Sequence, residues 1–463
     1  MTETDGLPAG QRRWVMACAV LGVVLAGLDS AIANIALPTI ARELAVSDAA
    51  TVWVVNSYQL AVAVCLLPVA SLSETYGLRR VYGVGLALFT VASLACAVSP
   101  DLPALVASRL LQGLGGACMA ALGGALVRSI YPRRMLGRGF ALIALAVAVS
   151  AALGPTIAAL ILSVARWPWL FLVNVPLGVV AVPLFLAVAP PGRGQRGPGK
   201  RGRGQRRRLD LVGALLNALA LGLIVTGVDG LGGAQRGIAL AELLAGGVAA
   251  ALLVRQQSRK ALPLLPLDLL RIPLFALSVC TSICSYSAQI LAYISLPFLF
   301  QTVMHRSAVA TGLLVTPWPL MVAVAAPIAG RLSARYPAAV LGSIGLVVLA
   351  SGLALLATMP AVPADWDVVW RMGICGVGFG FYQTPNNLTL MTAGPPERSG
   401  AASGMVAVAR TTGWSLGSAL VALIFGVGGG GAAVACLWLG AGFAATGAVV
   451  SVSRTGRGGH VPA

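Results

Sequence analysis

Apolar residues in this chain do not alternate with polar ones at the period of a strand or of a surface helix. They gather in long runs separated by short charged, Gly-rich or Pro-rich stretches. Fourteen runs stand out, at 14–38, 51–72, 79–99, 103–127, 138–163, 167–189, 210–228, 237–255, 273–301, 308–330, 338–360, 367–392, 400–427 and 431–452. Each exceeds an ordinary core helix and suits the length needed to cross a bilayer. Their Ala, Leu, Val and Gly content favours helices, which satisfy their own backbone groups in lipid. The pattern predicts an all-α polytopic membrane protein with fourteen transmembrane helices. The first run is too long for a signal-peptide core and lacks a small-residue cleavage site, so no cleaved leader is expected.

Composition agrees, with 58% hydrophobic and 10% charged residues. The net charge of +18 would suit a nucleic-acid partner, but its distribution excludes that reading. Fourteen spans place both termini on one face. On that face lie 25 of the 32 Lys and Arg residues, including eight between 193 and 208 and Arg454. The opposite face has five (Arg42, Arg166, Arg236, Arg306, Arg371), and Arg109 and Arg410 fall inside spans. By the positive-inside rule both termini are cytoplasmic, in a cell inner membrane, and the bilayer is the partner. The eight cysteines all fall in apolar runs and His305 and His460 stand alone, so no metal site is expected. No Gly-x-x-x-x-Gly-Lys-Ser/Thr loop occurs, so neither ATP nor another cofactor is implied. Nothing points to an enzyme.

The stretch "PPGRGQRGPGKRGRGQRRR" reads as a basic cytoplasmic linker over 190–209. Six spans precede it (1–189) and eight follow. Leu72, Ser73 and Tyr76 recur at Leu332, Ser333 and Tyr336, each between a second and a third span if a second half begins near 273. The chain therefore divides into an N-terminal six-helix bundle, an inserted pair at 210–255, and a C-terminal six-helix bundle with its tail at 256–463. The inserted pair should sit at the periphery and line no cavity.

Asp29 is the residue that most needs a reason. A charge at the centre of a span costs about 2.5–3.5 kcal/mol. It lies nine residues before Pro38, about 13 Å below the outer face at helical rise. The other acids near spans, among them Asp229 and Glu242, are assigned to the outer side. Asp29 reads as a proton site facing an aqueous cavity, or alternatively as a hydrogen-bonded carboxylate that packs helices. Arg109, in the fourth span, lies at about 9 Å from the same face. It would pair with Asp29 until substrate or a conformational change weakens the contact, or it bonds backbone carbonyls. Gly116, Ala120 and Gly124 form one small-residue stripe, and Ser150, Gly154 and Ala158 another, each at spacing four. Pro155 favours a bend. Arg410 lies about 15 Å into the thirteenth span. One acid against two cations predicts poor handling of dications.

Five stretches in order give a resemblance. "LDSAIANIALP" matches Leu-Asp-x-x-Ile-x-Asn-x-Ala-Leu-Pro, and "ASLSETYGLRRV" (70–81) resembles Gly-x-Leu-x-Asp-Arg-x-Gly-Arg-Arg. "RLLQGLGGA" matches Arg-x-x-Gln-Gly, "SAALGPTIAA" resembles the Gly-Pro antiporter motif, and "WPWLFLVNVPLG" resembles the start of a sixth helix. With "PLLPLDLLRIPLF" and "ERSGAASG", nearly the whole chain resembles the major facilitator superfamily in its 14-helix drug:proton antiporter branch. Ala70, Glu74 and Thr75 depart from the loop motif, and Ser150, Ala158 and Ala159 replace glycines.

The resemblance implies proton coupling through Asp29 and Arg109, a latch at Glu74, Gly77 and Arg79, and an antiporter motif of Ser150, Gly154, Pro155 and Ala158. It places Asn34, Tyr58, Gln59, Gln112, Gln289, Tyr293, Trp318, Tyr382, Gln383, Asn386, Arg410 and Trp414 on cavity helices as substrate-binding candidates. The expected activity is proton-driven export of small amphipathic compounds by a monomer, a periplasmic adaptor being left open. A dedicated exporter or importer of one metabolite, and a non-transporting sensor or scaffold, are the alternatives.

Overall fold

The computed structural model describes residues 6–190, 210–232, 236–260, 266–395 and 398–455. The basic linker from 191 onward and Glu397 lie outside these residues. Fourteen long helices are described: α1 Ala9–Glu43, α2 Asp48–Tyr76, α3 Leu78–Ala97, α4 Leu102–Ile130, α5 Leu136–Val164, α6 Pro168–Val188 and α7 Leu211–Gly230. Then come α8 Arg236–Ser258, α9 Pro273–Val303, α10 Ala308–Leu332, α11 Ala338–Ala357, α12 Asp365–Thr392, α13 Ser399–Val427 and α14 Ala432–Val452.

Thirteen stretches of the described chain are long and apolar enough to cross a membrane. The remaining helix, α12, is long but carries Gln383, Asn386 and Asn387 in its second half. Several helices outrun the sequence estimate, α1 by a turn or more at each end, because a helix can continue past the hydrocarbon layer into its caps. Breaks fall where proline removes a donor: α10 is interrupted at Thr316, before Pro317.

We call the end that carries the chain termini the terminal end, and the other the distal end. At the distal end one continuous apolar core takes in Ile35, Leu37 and Val55 of the first bundle with Ile294, Phe300 and Leu314 of the second. At the terminal end each bundle has its own core, one around Leu25, Tyr82 and Phe185, the other around Phe275, Leu390 and Met405. Ala407 and Val408 of α13 touch the first of these from the second bundle.

The distal joint is also polar. Gln301 Nε2 donates to the Ile35 carbonyl at 2.9 Å, and the Thr156 and Thr316 hydroxyls meet at 2.9 Å. Gly312 of α10 packs so tightly on Pro155 and Ala159 of α5 that a Cβ there would collide with the Pro155 carbonyl.

Helices α7 and α8 form a hairpin tied at its terminal end by Asp210. That carboxylate caps α7 through Gly213 N (2.8 Å) and accepts from Gln257 (2.7 Å) and Lys260 (2.6 Å). Burial would raise its pKa, but the Lys260 and Gln257 hydrogen bonds outweigh this and hold it below the usual carboxylate range. The hairpin is peripheral, yet it is not attached to one bundle alone. Trp53 Nε1 of α2 donates to Asp229 at 2.8 Å, Asn217 donates to the Val64 carbonyl at 3.2 Å, and Gly232 abuts Leu423 of α13. Glu242, assigned to the outer side within the run at 237–255, lies near the start of α8.

Candidate functional site

Arg109 and Gln112 sit three apart on α4 and therefore share a face. That face meets α1 at Asp29, and the Arg109 guanidinium forms an ion pair with the carboxylate. Both side chains are 1% exposed. Gln112 Nε2 donates to Asp29 Oδ1 (2.7 Å) and to Ser93 Oγ of α3 (2.8 Å), and Asn174 of α6 donates to the same Oδ1 at 3.0 Å. Arg109 also donates to the Gln112 side-chain oxygen (2.6 Å) and through Nε to the Val54 carbonyl of α2 (2.9 Å). Its guanidinium stacks at 4.4 Å on the Tyr58 ring, with Phe171 on another side at 5.5 Å. Five helices thus converge on one neutralised pair. Gly116 makes room for it, since a Cβ there would stand 2.5 Å from the Tyr58 hydroxyl.

The expectation that Asp29 faces an aqueous cavity is corrected for this state: the site is enclosed within the first bundle. The physical reason is saturation, because two amides and a guanidinium fill the space that water would occupy. Chemically, the arrangement keeps opposite charges out of water, so one added proton changes the local charge by one in a low-dielectric place.

The other expected residues separate into three groups. Gln112 and Tyr58 belong to the Asp29 network. Tyr382 and Asn386 are buried inside the second bundle around Arg454, and likewise line no seam in this state. Arg454 Nη1 donates to Ser278 Oγ (2.8 Å) and Asn386 Oδ1 (2.7 Å), and the guanidinium also bonds Ser451. Asn386 in turn donates to Ser282 Oγ at 2.8 Å. Read from sequence as a loop charge, Arg454 is fully buried; the packing of α14 on α9 encloses it, and no local pattern signals that.

The third group is one wall of the second bundle. Arg410 lies over Trp414 at 5.2 Å, and Trp414 Nε1 donates to Gln289 at 3.2 Å. Tyr286, which the sequence did not single out, meets Trp414 edge-on at 5.9 Å and accepts from Gln383 at 3.1 Å. Tyr293 packs on the buried Trp318 at 5.1 Å. Gln59 is buried in α2, and Asn34 is buried in α1 with its side-chain oxygen accepting no hydrogen bond from the described protein.

In α5, Gly154 faces Ala31 of α1, and Ser150 faces Gly27. Ala158 is buried in the distal core. The α4 stripe is corrected: Gly116 packs, but Ala120 is exposed and Gly124 has only loose neighbours. Glu74 is exposed near the end of α2, Gly77 turns the chain at φ +88°, and Arg79 donates to the Leu186 carbonyl of α6.

Residues 19–418 match the sequence profile of the Major Facilitator Superfamily. The chain is 49% identical over 423 residues to the uncharacterized transporter YebQ of Escherichia coli, covering 91% of each. It is 33% identical to the multidrug resistance protein Stp of Mycobacterium tuberculosis, over 87% of this chain and 73% of that one. Among solved structures, a POT family transporter in complex with 5-aminolevulinic acid superposes with TM-score 0.71 at 14% identity, over 97% of this chain and 96% of that one. The xylose transporter XylE from E. coli, in a partially occluded inward-open conformation, gives 0.65 at 14% identity, over 98% and 100%.

Proposed function

The chain belongs to the major facilitator superfamily, and from that premise we propose that it exports small amphipathic organic compounds in exchange for protons. It is a multi-pass membrane transporter rather than an enzyme. The relatives named for multidrug resistance support the drug-efflux part of the reading. The observation that carries the proton part is the enclosed Asp29–Arg109 pair.

With the termini in the cytoplasm of a bacterial inner membrane, the distal end is the outer one. The joined distal core, with terminal cores that meet only around Ala407 and Val408, supports a transporter closed to the outside. In the proposed cycle the bundles rock about the substrate and expose the two ends in turn. A proton reaching Asp29 cancels its charge and leaves Arg109 uncompensated. Breaking a buried pair in this way costs about 3–5 kcal/mol, a bias large enough to drive a change of state. Return of the proton to the cytoplasm restores the pair.

The test is uphill efflux of a lipophilic dye from proteoliposomes under an imposed pH gradient. Wild type is expected to accumulate the dye against its gradient, and Asp29→Asn to lose that coupling by at least about a hundredfold, the cost of one such pair. Coupled efflux by Asp29→Asn at the wild-type rate would mean that the proton travels elsewhere.

A further inference from the structure

Arg109 and Asp29 neutralise each other inside the first bundle, so the charge left at mid-membrane depth between the bundles is that of Arg410. Three observations place its side chain there. Ala407, about one turn before it on α13, packs against the first bundle. Its helix, α13, packs along α2 of that bundle. The Arg410 guanidinium lies over Trp414, whose indole is fixed by Gln289.

Among the described residues Arg410 has no carboxylate partner, and its buried Nε has no hydrogen-bond acceptor. A guanidinium at this depth without an anion is costly, and its planar fork of donors fits a carboxylate or sulfonate on two hydrogen bonds. Beside it stands the half-buried Trp414, backed edge-on by the buried Tyr286, whose hydroxyl accepts from Gln383. A half-exposed indole takes a planar ring by stacking. A cation placed here would meet Arg410, while the nearest buried acid, Asp29, is already occupied by Arg109, Gln112 and Asn174.

We propose that the seam between the bundles binds aromatic organic monoanions, with the acid group on Arg410 and the ring against Trp414. The proposal rests on the transporter reading and names its substrate class.

The test is equilibrium dialysis of the full-length protein in nanodiscs of phosphatidylcholine, which hold no anionic lipid to compete for Arg410. The probes are coumarin-3-carboxylate, its ethyl ester and a trimethylammonium coumarin. Wild type should bind the carboxylate at least about tenfold more tightly than the cation, the order expected for a charged hydrogen bond. Arg410→Gln should bring that ratio close to one, and Arg410→Lys should keep much of it. Adding phosphatidylglycerol to the discs should weaken carboxylate binding if a lipid headgroup uses the same site. Failure to bind the carboxylate, equal binding of the cation by wild type, or a preference that survives in folded Arg410→Gln overturns the proposal. Carboxylate binding without proton-driven uphill movement in liposomes would instead remove the transport reading and leave the anion site standing.

Discussion

Asp29 and Arg109 carry no net charge together, but each depends on the other for its place in a dry environment. Arg109→Gln leaves a buried carboxylate held only by amides, and should destabilise the protein by about 3–5 kcal/mol. The double variant Asp29→Asn with Arg109→Gln removes both charges and should recover much of that loss. Thermal unfolding of the four proteins in one detergent checks this; a double variant less stable than either single one would show that the hydrogen bonds outweigh the ionic term. The two charges were legible in the sequence because each stands out inside an apolar run and their depths can be compared by counting residues, while their pairing was implied by the family resemblance. Their neutral partners were not legible. Ser93 and Asn174 look like any weakly polar residue in a span, and only the crossing of α3 and α6 over α1 and α4 brings them in. Arg454 was misread for the converse reason: a charge next to a chain end resembles a loop charge until α14 encloses it.

Among the helices, α5 serves two contacts at once. Gly154 lets it lie against α1, and the turn after it, Pro155 to Ala159, receives Gly312 of α10 from the other bundle. The Gly-Pro stretch is therefore a joint between bundles as well as a packing stripe within one. Gly312→Val cannot fit against the Pro155 carbonyl, and overpacking of this kind costs about 1–3 kcal/mol. The variant should hold the distal end ajar. With Ala36→Cys in a background free of native cysteines, a water-soluble maleimide added from the distal side should react about tenfold faster in Gly312→Val. Unchanged labelling would mean that the contact does not govern closure. The fourteen helices were legible because hydrophobic run length alone reports a span. The polarity of α12 did not hide it: its second half supplies internal hydrogen bonds, and the run at 367–392 was still long enough to read as a span.

For the whole molecule, the recurrence at an offset of 260 residues suggests a two-bundle plan, whereas the state of the bundles could not be read, since both states share one sequence. The placement of the α7–α8 hairpin across α2 and α13 was equally hidden, because its determinants (Trp53 with Asp229, Gly232 with Leu423) lie far apart along the chain. That placement makes the two flanks unequal. On one flank protein covers the line where the bundles meet; on the other, Leu153 and Leu160 of α5 and Leu320 and Val324 of α10 are exposed. A compound already dissolved among acyl chains therefore meets the α5–α10 line directly, and reaches the α2–α13 line only past the hairpin. A photoreactive amino acid at Leu320 should capture lipid, and one at Leu423 should capture the hairpin instead. The leaflet would then act as the reservoir from which oily molecules are drawn, and the side-to-side bias of that supply would be written into the membrane by where the hairpin sits.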